Sequence, residues 1–154
     1  MLCRVALAPF ILTRLYIQRN PTMDLKDFTP KSDEVEVVIK HPGNGEPLTN
    51  KDGSDMTVVL HAPHSKVYKE AMYEQTNKRL KVAQGSGKMD LTAQDLEEAS
   101  LTLLSKVTKS WNITYDDKQI KLTEARAKAI YEELFWLKPQ LEEALDNSQA
   151  FMKG

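Results

Sequence analysis

Apolar residues along this chain change their period several times, and each change marks an expected element. Between 34 and 40, Val35, Val37 and Ile39 alternate with Glu34, Glu36 and Lys40, the two-residue period of a strand with one wet face. The polar, proline-containing stretch 24–33 reads as a lead-in loop. His41-Pro42-Gly43-Asn44-Gly45-Glu46-Pro47 is dense in turn formers, and Lys51-Asp52-Gly53-Ser54 gives a second turn. Met56 to His61 is again strand-like. The simplest arrangement pairs 34–40 with 56–61 antiparallel, a hairpin over 34–61 with 41–55 as an elaborated loop. Two strands alone are marginal in water, so their apolar face needs a helix or a second copy.

From Ser65 the period lengthens. Ser65 is placed to cap a helix over 65–84, whose inner face combines Val67, Tyr68, Ala71, Met72, Gln75, Arg79 and Leu80 and is mixed in polarity. Gly85-Ser86-Gly87 stops it. The region 92–152 reads as helical. Thr92 three residues before Asp95 is a capped start. Leu96, Ala99, Leu103, Leu104, Val107 and Trp111 then share one helical face. Over 112–122 the alternation of Ile113, Tyr115, Ile120 and Leu122 about Asp116-Asp117-Lys118 gives a small hairpin or an extended bend. Thr123 caps a helix with Ala127, Ile130, Tyr131 and Leu134 inside. Pro139 either opens a new helix at its first position or kinks the old one. Leu141, Ala144, Leu145, Ser148, Phe151 and Met152 form the last stripe. The fold class is α+β, an N-terminal antiparallel β-hairpin followed by a mainly α-helical C-terminal half.

Composition adds bounds. At 41% hydrophobic, 28% charged and net charge −1, the chain has no overall pull towards nucleic acid or anionic lipid. Its one cysteine, Cys3, excludes an intrachain disulfide framework. Residues 1–22 stand apart, with apolar clusters, three arginines and no acids. Their longest uncharged run is too short for a membrane span, and no small-residue cleavage site follows it. A mitochondrial-type leader fits poorly without serines. The expectation is a non-native or disordered leader, with translation starting at Met23 and one α+β domain over 23–154.

Candidate chemistry is thin. His61 and His64 flank a proline at a strand-to-helix corner and lack a third ligand, so no metal site is expected. The Gly43-Asn44-Gly45 and Gly85-Ser86-Gly87 pairs lack a P-loop lysine or a βαβ setting and read as turns. Asp116 and Asp117 share a solvated turn, which does not give the separated environments of an acid–base pair. Lys78, Arg79, Lys81 and Lys88 form a basic patch, but Glu70 and Glu74 on the same helix make it a salt-bridged face. No catalytic residue and no cofactor site is expected. Trp111 belongs in the core. Phe135 extends the inner face of its helix, whereas Trp136 is rotated away beside the proline. Trp136, Phe135, Tyr68 and Met72 are the candidate partner-binding residues.

The order of these features resembles a known family. The run Leu103-Leu104 to Trp111-Asn112-Ile113 precedes the acidic turn Asp116-Asp117-Lys118. Ile120-Lys121-Leu122-Thr123-Glu124-Ala125-Arg126-Ala127 follows, and then Leu137-Lys138-Pro139-Gln140-Leu141. This succession is similar to the tail assembly chaperones of long-tailed bacteriophages, in which a late helix ends in a tryptophan before a short hairpin, a capped helix and a proline-marked final helix. The Gly45 to Leu48 turn and the Tyr73 to Asn77 helix resemble small phage tail-region proteins. The resemblance runs from about Asp24 to Phe151, and the leader has no counterpart in it. It implies no enzyme activity and no cofactor, but a protein of the host cytoplasm that binds the phage tape-measure protein and helps recruit tail-tube subunits. A homo-oligomer stays open; no membrane is involved and nucleic acid is disfavoured. The alternatives are a structural minor tail or neck protein and, further off, a small nucleic-acid-binding regulator using Lys78, Arg79 and Lys81.

Overall fold

The alternating valines at 35 and 37 find their partners in a second alternating strand. In the computed structural model, which describes residues 24–152 apart from Met89 and Ser148, β1 (Glu34–Val38) pairs antiparallel with β2 (Thr57–His61). The expected leader 1–22 and the stripe position Ser148 lie outside the described residues. Val35 sits opposite Leu60 and Val37 opposite Val58, and all four are buried on one face. The other face keeps Glu36 in water. The lead-in holds one 3-10 turn at Leu25–Phe28. The loop between the strands is as elaborated as its turn residues demand, with Gly45 and Gly53 both at positive φ.

The sheet has a third strand that the periodicity did not suggest. Helix α2 (Ala93–Val107) ends before Trp111, and Thr108–Asn112 forms β3, paired antiparallel to β2. The strand order is β1-β2-β3, so β2 is central. The expected helical face through Trp111 is therefore wrong at its C-terminal end. Thr108 marks the switch: its N–H and its hydroxyl both bond the Leu104 carbonyl, the latter at 2.7 Å, and the backbone then turns extended. Tertiary pairing wins because β2, with Val58 and Leu60 fully buried, needs hydrogen-bond partners on both edges. A bulge leaves Lys109 as the extra residue between Thr108, opposite Leu60, and Ser110, opposite Val59.

Among the helices, α1 (Lys66–Ser86) lies against α2, which lies in turn against α3 (Glu124–Glu133). Helix α4 (Leu137–Asp146) and the short α5 (Gln149–Met152) pack on β1. The expected stripe on α2 is rotated. Leu101, Leu104 and Val107 are core, Ala99 and Leu103 are half-buried, and Leu96 is 51% exposed. Between β3 and α3, β4 (Thr114–Tyr115) and β5 (Lys118–Gln119) pair as a small hairpin, the first of the two forms open for 112–122. Asp116 and Asp117, both at positive φ, make its turn, a conformation aspartate tolerates and hairpin twist favours. Helix α3 buries Ala127, Ile130 and Tyr131 as expected. Pro139 is the third residue of α4, where first-turn amides lack intrahelical partners, so it neither opens nor kinks the helix. Leu141, Leu145 and Phe151 of the last stripe are buried, but α4 stops at Asp146 and α5 resumes the chain separately.

Candidate protein-binding surface

Helix α1 is the element least absorbed by the fold. Ser65 caps it by accepting the Tyr68 N–H, and Gly87 ends it in the left-handed region at φ 67°. Its 21 residues bury only Ala71. A half-buried stripe continues through Tyr68, Gln75, Arg79 and Ala83, narrower than the inner face expected from the sequence. Val67, Met72 and Leu80, assigned to that face, are exposed. The Gln75 amide donates to the Ala99 carbonyl at 2.7 Å, and the Lys106 ammonium bonds the Glu74 carboxylate at 2.7 Å. That lysine holds the Glu74 carboxyl below the usual carboxylate range.

Beyond these two ties the helices leave an open cleft of about 500 Å³. Its apolar lining includes Ala71, Val82, Ala83, Leu91, Ala99 and Leu103. Lys78, Arg79, Lys88 and Lys106 line it together with Glu74, Asp90, Asp95 and Glu98, while Lys81 of the basic patch does not. Four cations and four anions in the lining leave no net field for a phosphate backbone there. Asp95 is held below its ordinary range by the Thr92 hydroxyl and backbone amide of its own capping box, and secondarily by Arg79. Of the cleft-lining residues Val82 and Leu91 are exposed, and elsewhere on α1 and α2 so are Met72, Tyr73, Leu80 and Leu96.

The candidate partner residues divide between two places. Tyr68 and Met72 stand one turn apart on α1, Tyr68 half-buried and Met72 exposed. Burial raises the Tyr68 phenol, helped by Asp146 and Glu142 near it on α4. Phe135 and Trp136 lie just before the N-terminus of α4, whereas Tyr68 is near Glu142 and Asp146 in the second half of that helix. The expectation that Phe135 is inner and Trp136 outer is reversed. Phe135 is 79% exposed, and Trp136 is half-buried against the core. The reason is local: α3 ends at Glu133, Leu134 leaves helical geometry at φ −94°, ψ 73°, and the helical rotation no longer applies. Trp136 is the N-cap of α4.

The remaining chemistry-bearing residues are structural. His64 Nε2 lies 3.0 Å from the Ser32 carbonyl and 3.0 Å from Asp33, while its ring meets Phe151 edge-on. His61 is half-buried in β2, opposite Glu34. Tyr131 and Trp111 meet at right angles in the core, with ring centroids 6.4 Å apart. Among the described residues no three or more His, Cys, Asp or Glu are placed to hold a metal ion, and no helix is long and apolar enough to cross a membrane. No protein-family model matches the chain, and neither does any curated protein or solved structure.

Proposed function

We propose that this protein is a non-enzymatic assembly chaperone of a long-tailed phage, working in the host cytoplasm. In this reading it holds the tape-measure protein soluble and helps recruit tail-tube subunits. The observation that carries the binding role is the state of α1, a long helix with one buried residue beside an open, charge-balanced cleft. Burial stabilises most helices in proteins, and a helix this unpacked gains from a partner that covers it. The cleft mixes apolar surface with both signs of charge, as an amphipathic helix of a client does. The link to tail assembly rests on the resemblance in order of the hairpin at Asp116-Asp117, the Thr123-capped helix and the final helix around Pro139. The late helix ending in tryptophan is not met, since α2 stops at Val107 and Trp111 lies on β3. This reading places a tape-measure gene beside its own, and the test is co-expression with the product of that gene. The wild type should keep that protein soluble. Leu80→Asp with Val82→Asp, both on exposed positions of α1, should lose this while melting at an unchanged temperature. A tape-measure protein equally soluble with and without the chain rules the chaperone out.

A further inference from the structure

The strand β1 is an edge of the sheet, and its outward backbone groups are treated unevenly. The Ala62 N–H donates to Asp33 and the Ile39 N–H donates to Met56, which fixes the parity of the ladder. Val35 and Val37 turn their N–H and C=O towards β2, so Glu34, Glu36, Val38 and Lys40 turn theirs outwards. At one end the Ser32 hydroxyl accepts the Glu34 N–H and donates to the Glu34 carbonyl. At the other end the Gln140 side chain accepts the Lys40 N–H and donates to the Lys40 carbonyl, both at 2.9 Å. Two side chains therefore imitate a neighbouring strand at the ends of β1. Between them, nothing among the described residues bonds the outward groups of Glu36 and Val38.

That open stretch faces a groove of about 300 Å³, walled on its far side by α4. Gln140, Glu143, Ala144 and Asn147 recur at helical spacing along that wall. A strand edge with free backbone groups can accept one more extended backbone. We propose that this groove binds an extended segment of a partner polypeptide as a fourth strand, apolar on its inner face and basic on its outer one. Its inner residues would rest on Ala144 and the edge of Val37. Its outer residues would lie beside Glu36, exposed on the wet face; with Glu143 on α4, two carboxylates line the groove against the one cation of Lys40. A second copy of this chain is a poorer occupant. Pairing β1 with its own copy about a two-fold axis normal to the sheet sets both α4 helices on the same side of the seam, where they compete for one space. The proposal is independent of which protein the α1–α2 cleft captures.

The probe is a labelled hexapeptide of alternating valine and lysine, titrated into the full chain. It should bind saturably and slow hydrogen exchange at the Glu36 and Val38 amides, while Val35 and Val37, already bonded to β2, stay unchanged. The same peptide with its backbone N-methylated should not bind. Glu36→Lys with Glu143→Lys, both at exposed positions, should weaken binding about tenfold or more at unchanged melting temperature. Three outcomes overturn the proposal. They are the absence of saturable binding, binding that leaves the Glu36 and Val38 amides exchanging freely, and a dimer that protects those two amides with no peptide present.

Discussion

Single residues decide more here than their types suggest. Trp136 and Phe135 are adjacent and both large aromatics, yet one packs half-buried against the core at the N-cap position of α4 and the other stands in water. Trp136→Ala should therefore destabilise the chain by about 2–3 kcal/mol, since a half-buried indole leaves a partial cavity. Phe135→Ala should change stability by less than about 0.5 kcal/mol. Thermal melts of the two variants check this, and equal losses would contradict the inversion. Tyr131 is a second case. Its hydroxyl lies 2.7 Å from that of Thr108, at the junction of α2 and β3. Burial pushes the phenol up to about 12 against that hydrogen bond, which acts the other way. The folded chain thus holds this proton more tightly than the unfolded one, whose value is 10.0. The stability Tyr131 contributes is complete below that value and is lost as pH rises towards 12. Tyrosinate absorbance should show its latest component near pH 12, and Tyr131→Phe should remove that component.

At the scale of elements, helix α1 and strand β3 make opposite points. α1 obeys its local signals, with a serine cap and a left-handed glycine at its end, but tertiary contacts barely use it. Its last three turns carry no buried residue. Hydrogen exchange should therefore run faster from Met72 to Ser86 than in α3 or β2, and the gap should narrow when a client occupies the cleft. Uniform protection along α1 without a client would show that the helix is already satisfied. β3 does the reverse. Thr108, Ser110 and Asn112 are poor helix formers, and the run Val58-Val59-Leu60 has the look of a central strand. Both features are compatible with a third strand, but the apolar spacing up to Trp111 reads as a continued helix. Trp111 instead lies on β3, half-buried, with its indole N–H donating to the Ile120 carbonyl at 2.8 Å.

Across the whole molecule, distant segments are tied at one buried amide. Asn50, in the loop between β1 and β2, donates to the Asn112 carbonyl at 3.2 Å and accepts from the Thr114 hydroxyl at 2.7 Å. It also reaches Ser54 within its own turn. Asn50→Ala should cost about 1–3 kcal/mol, because it strands buried partners on two other segments. Asn50→Asp should cost no less, since a carboxylate cannot donate to the Asn112 carbonyl. Denaturant unfolding measures both, and a neutral Asn50→Ala would mean the loop is held elsewhere. Sequence alone determined what repeats locally: the two alternating valine-rich strands, the caps at Ser65, Thr92 and Thr123, the turn at Asp116-Asp117, and the inner face of α3. Each rests on neighbours within a few residues, where backbone preference and burial agree. Only the tertiary structure decided that Thr108–Asn112 joins the sheet, that Trp136 turns inward while Phe135 turns out, and that α4 leaves a groove along β1. Those outcomes depend on hydrogen-bond partners and packing surfaces brought from elsewhere in the chain, and no local period encodes them.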